Sequence, residues 1–154
     1  MARRRKIDRI ETHYAGRAGD GEFAVASIVV REGPDHHSHC VRPCPECPWA
    51  KDSPIGVFPA EAFRHSARTA YDMAGTTFAC HMARPEAPAT CAGFLLRGAA
   101  HNLVVRLAQI RGRLDLRRVQ DGGRELFSSY RAMAIANGVA ADDPALAPCR
   151  SNDD

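Results

Sequence analysis

Apolar positions along the chain fall into short blocks separated by prolines and glycines. The block Phe23-Ala24-Val25-Ala26-Ser27-Ile28-Val29-Val30 is rich in β-branched side chains, which fit a pleated surface, and predicts a strand ended by Gly33-Pro34. Residues 34–58 carry five prolines and the first three cysteines. Each proline removes a backbone donor, so no regular element is expected there. Pro59-Ala60-Glu61 then opens a helix, with proline at its start and an acid in the first turn. It is expected to reach about Met73, with Phe63, Ala67, Ala70 and Tyr71 on one face. Thr76-Thr77-Phe78-Ala79 predicts a short strand delivering Cys80 to a turn, and residues 83–90 a loop. From Cys91 the spacing turns helical, through Phe94-Leu95 and then Leu103, Val104, Leu107 and Ile110, with Gly112 as a stop. A last helix is expected from about Gly123 to Asn137, ended by Asn137-Gly138.

These elements predict an α+β fold: a small single domain of about three helices and a short sheet, stapled by a cysteine-rich metal site. At 154 residues the chain can bury one core but not two. The expected organisation is a flexible basic arm at 1–21, a metal-binding globular domain at 22–138 and an acidic tail at 139–154. Aromatics make up only 6% of the residues, so Ala, Val, Leu and Ile are expected to dominate the core. No apolar run approaches the roughly 18–20 residues that cross a bilayer, so no membrane partner is expected. Met1-Ala2-Arg3-Arg4-Arg5-Lys6 is followed by no apolar signal region, which points to the cytoplasm. In that reducing compartment clustered thiols bind metal more often than they pair.

Four of the six cysteines form the pattern that carries most chemistry. Cys44 and Cys47 are separated by two residues, a gap that lets one tight turn present both sulfurs to one ion. Cys80 and Cys91 can complete a four-sulfur set. His81 could replace Cys80 as a nitrogen donor, and Cys40, four residues before Cys44, is a lesser alternative. Cys149 is isolated and reads as a packed free thiol. Zinc is the expected ion because it tolerates varied ligand spacing. A [4Fe–4S] cluster is the alternative, since Cys47 is followed by Pro48 and the later cysteines are widely spaced.

Two enzyme readings fail on the residues. Pro43-Cys44-x-x-Cys47 matches the second half of the zinc-deaminase signature, whose first half is His-x-Glu. His13, His36, His37 and His39 are followed two positions later by Ala15, Ser38, His39 and Val41, so the general acid/base is missing. A thioredoxin-type dithiol should open a helix after a strand, whereas Pro48 follows Cys47 at once. His36-His37-Ser38-His39 reads as a solvated loop. No catalytic residue is assigned. Trp49 is expected to shield the metal site with apolar surface, and His101 to lie near it, both behind the ligands.

Taken together, Pro43-Cys44-Pro45-Glu46-Cys47-Pro48-Trp49, Gly56-Val57-Phe58-Pro59, Phe78-Ala79-Cys80-His81, Cys91-Ala92-Gly93-Phe94 and His101-Asn102 with Val105-Arg106-Leu107-Ala108 resemble an uncharacterised domain family of actinobacteria and their phages. The resemblance covers about residues 42–138. The family's recurrent positions correspond to Cys44, Cys47, Trp49, Cys80, His81, Cys91 and His101. Ala50-Lys51 departs from the arginine usual after the tryptophan. The resemblance implies a metal-site domain of phage or actinobacterial origin, and no substrate.

Charge adds a partner class. Residues 97–118 hold six arginines against one acid, Asp115. Arg106, Arg111, Arg113, Arg117 and Arg118 are the candidate contacts for a host protein or a nucleic acid. Arginine outnumbers lysine 19 to 2, a bias that also fits a GC-rich genome. The expected function is therefore a small zinc-type interaction or regulatory protein acting by binding, in the host cytoplasm if phage-encoded. The alternative is a cluster protein with a redox-sensing or catalytic role.

Overall fold

The computed structural model describes residues 7–18, 21–30, 38–84 and 87–154. Two strands, β1 (Ile7–Ala18) and β2 (Gly21–Val30), form an antiparallel hairpin. Glu11 lies opposite Ser27 and Gly16 opposite Phe23. β2 matches the expected β-branched block. β1 corrects the expected arm, because residues 7–18 pair along β2; residues 1–6 and the Gly33-Pro34 stop lie outside the described residues. The hairpin leans on the first helix through His13 and His65, whose rings stack with centroids 4.1 Å apart. Ser27 Oγ bridges them, 2.8 Å from His13 Nε2 and 3.3 Å from His65 Nε2.

Four short α-helices follow: α1 (Ala60–Ser66), α2 (Ala92–Arg97), α3 (Leu103–Ile110) and α4 (Tyr130–Ala136). With the hairpin they make an α+β fold. Each is shorter than its apolar spacing predicts. α1 tightens into a 3₁₀ turn at Ala67–Ala70. The segment expected to be helical from Cys91 breaks in two because Asn102 serves as the N-cap of α3, its side chain accepting from the Val105 amide. Before α4, residues 124–129 run irregularly, and Ser129 caps the helix by accepting from the Ala132 amide. Gly112 and Gly138 adopt φ of 67° and 98° at the helix ends expected for them.

Trp49 is the largest fully buried side chain of the core among the described residues. Its ring packs against Phe78, Phe94 and Tyr130 at centroid separations of 5.9, 6.3 and 5.8 Å. Edge-on contacts of this kind suit the aromatic quadrupole. Alanine, leucine and valine supply most of the buried apolar residues, as expected, but no isoleucine is buried among the described residues. Tyr130, also fully buried, donates its hydroxyl hydrogen to the Phe63 carbonyl and lies 2.7 Å from Ser66 Oγ. That satisfies its polar end.

The expected acidic tail is corrected as well. Leu146 is completely buried, the Arg150 amide donates to the Ala70 carbonyl at 2.8 Å, and Tyr71 Oη donates to the Ala145 carbonyl at 2.7 Å. Residues 139–150 thus pack into the domain. No helix among the described residues is long and apolar enough to cross a membrane.

Candidate metal centre

The turn carrying the first two cysteines follows directly from its residues. Pro43, Pro45 and Pro48 forbid a continuous helix. The chain instead makes successive tight turns: the Cys47 amide donates to the Cys44 carbonyl at 3.0 Å, Ala50 to Cys47 at 3.0 Å, and Ser53 to Ala50 at 3.1 Å. Arg124 clamps these turns from a distant segment. Its guanidinium donates to the carbonyls of Cys44 and Pro45, to Ser53 Oγ at 3.0 Å and to Asp52 Oδ1 at 2.7 Å. Nothing local in the sequence marks Arg124 for this role, because its partners lie more than seventy residues away.

The later cysteines arrive on extended segments joined at Thr90. The Thr90 amide donates to the Ser38 carbonyl at 2.9 Å, and the Cys40 amide to the Thr90 carbonyl at 2.9 Å. The Cys80 amide donates to the Ala89 carbonyl at 2.7 Å, and the Cys91 amide to the Phe78 carbonyl at 2.9 Å. This small ladder places Cys40, Cys80 and Cys91 on neighbouring segments, so Cys40, the lesser candidate by spacing, joins the group.

Cys47 Sγ lies 3.7 Å from Cys91 Sγ, across 44 residues of sequence. Cys44 Sγ lies 3.7 Å from His81 Nδ1 and 4.0 Å from its Nε2. The Cys80 thiol is near enough to both Cys40 and Cys44 to raise their pKa values. Among the described residues, no three His, Cys, Asp or Glu side chains are drawn into a group that could hold an ion as they stand. The donors are neighbours in pairs. His101 stands elsewhere, its Nδ1 3.9 Å from Asp72 Oδ1, and no contact among the described residues joins it to the thiols. Cys149 is also apart, half-buried with its thiol toward the Ala67 carbonyl.

Electrostatics follow from burying thiols side by side. Burial first, and then the neighbouring Cys80, push Cys40 up to about 11 and Cys44 up to about 12. Cys91 is raised because its thiol donates to Cys47 and is buried. Cys47 is lowered, chiefly because it accepts from Cys91, helped by the Trp49 and Ala50 amides and the Arg124 charge. Crowded thiols hold their protons because adjacent thiolates repel, and a bound dication reverses that balance. The donor chemistry therefore suits a soft divalent ion. Burial lowers the pKa of His81, against the pull of Glu46, which favours the neutral imidazole a metal needs.

The expected shield, Trp49, is fully buried in one apolar cluster with Cys47, Cys80 and Cys91. The arginines Arg106, Arg111, Arg113, Arg117 and Arg118 are all exposed. Arg117 is paired with Asp115 at 2.9 Å.

No curated protein and no solved structure matches the chain. A family model matches residues 39–150, from the segment carrying Cys40 through the packed C-terminal residues, and leaves the hairpin outside. The chain belongs to that family, a family of unknown function designated DUF6283.

Proposed function

We propose that this protein is a zinc-stapled, non-enzymatic binding protein in which Cys44, Cys47, Cys80 and Cys91 hold one ion. The contact that carries the reading is the 3.7 Å approach of Cys47 Sγ to Cys91 Sγ. Zinc–sulfur bonds of about 2.3 Å at a tetrahedral angle hold two sulfurs about 3.8 Å apart. His81 against Cys44 favours zinc over a [4Fe–4S] cluster, because zinc accepts mixed sulfur and nitrogen donors. It also makes His81 the substitute for Cys80. The ion would tie together segments that own little regular structure, and this is the role structural zinc plays in small domains. A thiolate site of this kind belongs in a reducing cytoplasm. The exposed arginines Arg106, Arg111, Arg113, Arg117 and Arg118 would contact a host protein or nucleic acid. Metal analysis with an absorption spectrum of anaerobically purified protein tests the reading. Colourless protein with one zinc per chain is expected. Brown protein containing iron and sulfide would replace zinc with a cluster, and folded metal-free protein would remove both.

A further inference from the structure

A cleft of about 570 Å³ opens on the surface, lined by residues from separate parts of the chain. Arg42 comes from the loop between Cys40 and Cys44, Leu96 and Arg97 from the end of α2, and the remainder from residues 119–123. The Gln120 amide donates to the Val41 carbonyl at 2.9 Å and fixes the last segment against the first. Leu96 and Val119 give the cleft an apolar part, while Gly122 and Gly123, at φ of 69° and 79°, offer backbone without side chains.

Arg42 and Arg97 both line this cleft and both are exposed. Among the described residues neither guanidinium has a hydrogen-bond or ion-pair partner. Arg64, Arg117 and Arg124, by contrast, each pair with a carboxylate. The cleft's one acid, Asp121, already accepts from the Gly123 amide at 2.8 Å through Oδ1. Two cations against one engaged carboxylate leave the cleft positive. A guanidinium presents a planar fork that matches phosphate oxygens.

We propose that this cleft binds a small phosphate-bearing molecule, with Arg42 and Arg97 taking the phosphate and Leu96 and Val119 the apolar part. The volume falls in the range that holds small ligands, about 300–1,000 Å³. No aromatic side chain lines it, so it lacks the stacking platform with which single-stranded nucleic acid is gripped.

Calorimetric titration of the intact protein with pyrophosphate, AMP, adenosine and a single-stranded DNA 12-mer tests it. Pyrophosphate and AMP are expected to bind, more weakly as salt rises, and adenosine is expected not to. R42Q and R97Q should each weaken AMP by about tenfold, the loss of one charged hydrogen bond, and D121N should tighten it. R9Q, in the hairpin outside the cleft, should leave AMP affinity unchanged, and circular dichroism checks that every variant keeps its fold. The proposal is overturned if neither anion binds at millimolar concentration, or if R42Q and R97Q bind AMP like the parent. DNA binding tighter than AMP and insensitive to R42Q and R97Q would assign the arginine chemistry to nucleic acid on another surface.

Discussion

Trp49 rests directly on Gly93: a Cβ placed on that glycine would stand 2.4 Å from Trp49 Cβ. The same two segments bring Cys47 and Cys91 together at 3.7 Å, two residues earlier in each. Core packing and thiol spacing are thus set by one close approach of backbones. Gly93→Ala should force the segments apart and cost about 1–3 kcal/mol, the usual range for overpacking. It should also weaken metal retention, which Gly98→Ala, packed against the far edge of the same indole, should do less. Denaturant midpoints and chelator competition on both variants check this, and equal metal affinity in the two would separate packing from the thiols.

Removing sulfur donors should divide the cysteines into two groups. Cys47→Ser and Cys91→Ser should abolish zinc binding, whereas Cys149→Ser, apart from the other thiols, should leave one zinc bound. Because an ion bound to the folded state stabilises it by mass action, about 2.7 kcal/mol at one hundred times the dissociation constant, chelator should lower the melting temperature of the parent. It should leave the Cys47→Ser variant unmoved. Melting curves with and without chelator read the difference directly.

Local signals in the sequence were enough for some features and could not reach others. The β-branched run at 23–30 becomes β2, Pro59 precedes α1, and Asn102 caps α3. Each depends on residues within a few positions. β1 carries no such signal, because its sequence, IDRIETHYAGRA, is mostly polar and exposed, so no buried face imposes an alternation. The Cys44–Cys47 turn is written in its prolines. Cys91 is marked by its residue type as a candidate donor, but the turn's clamp, Arg124, is marked by nothing local, since a contact across 80 residues depends on the whole core closing. Low aromatic content points to an aliphatic core, and alanine, leucine and valine do supply most of it, with one tryptophan packed among three other rings.

The clamp gives a pH dependence whose sign is fixed. The hydrogen bonds from Arg124 lower the pKa of Asp52, so folding favours its carboxylate. That contribution is complete above the unfolded value of about 3.9 and disappears as pH falls through the folded value. Asp52→Asn should therefore be less stable than the parent at neutral pH and converge with it in acid. Urea midpoints between about pH 2 and 7 test this; parallel curves for the two proteins would show that Arg124 holds the turn without help from Asp52.

Asn102 joins three parts of the fold with one fully buried amide. Its Nδ2 donates to the Thr69 carbonyl at 3.0 Å and the Thr76 carbonyl at 2.7 Å, while Oδ1 accepts from the Val105 amide at 3.1 Å. It thereby connects the 3₁₀ turn after α1, the segment leading to Cys80 and the start of α3. Asn102→Ala strands two carbonyls and a helix-end amide, and each unsatisfied buried group costs about 1–3 kcal/mol. Asn102→Asp keeps the acceptor but turns it into a buried carboxylate facing two carbonyl oxygens. Desolvation and those oxygens would raise its folded pKa above the unfolded value of about 3.9. Its protonated form is then the tolerated one, so stability is greatest below that value and falls as pH rises toward the raised folded pKa. Relative to the parent, the Ala variant should be destabilised by a similar amount from about pH 4 to 7, and the Asp variant increasingly over the same range. Denaturant midpoints across that range distinguish the two, and a pH-independent Asp variant would mean that the Thr69 and Thr76 carbonyls have turned away from the site.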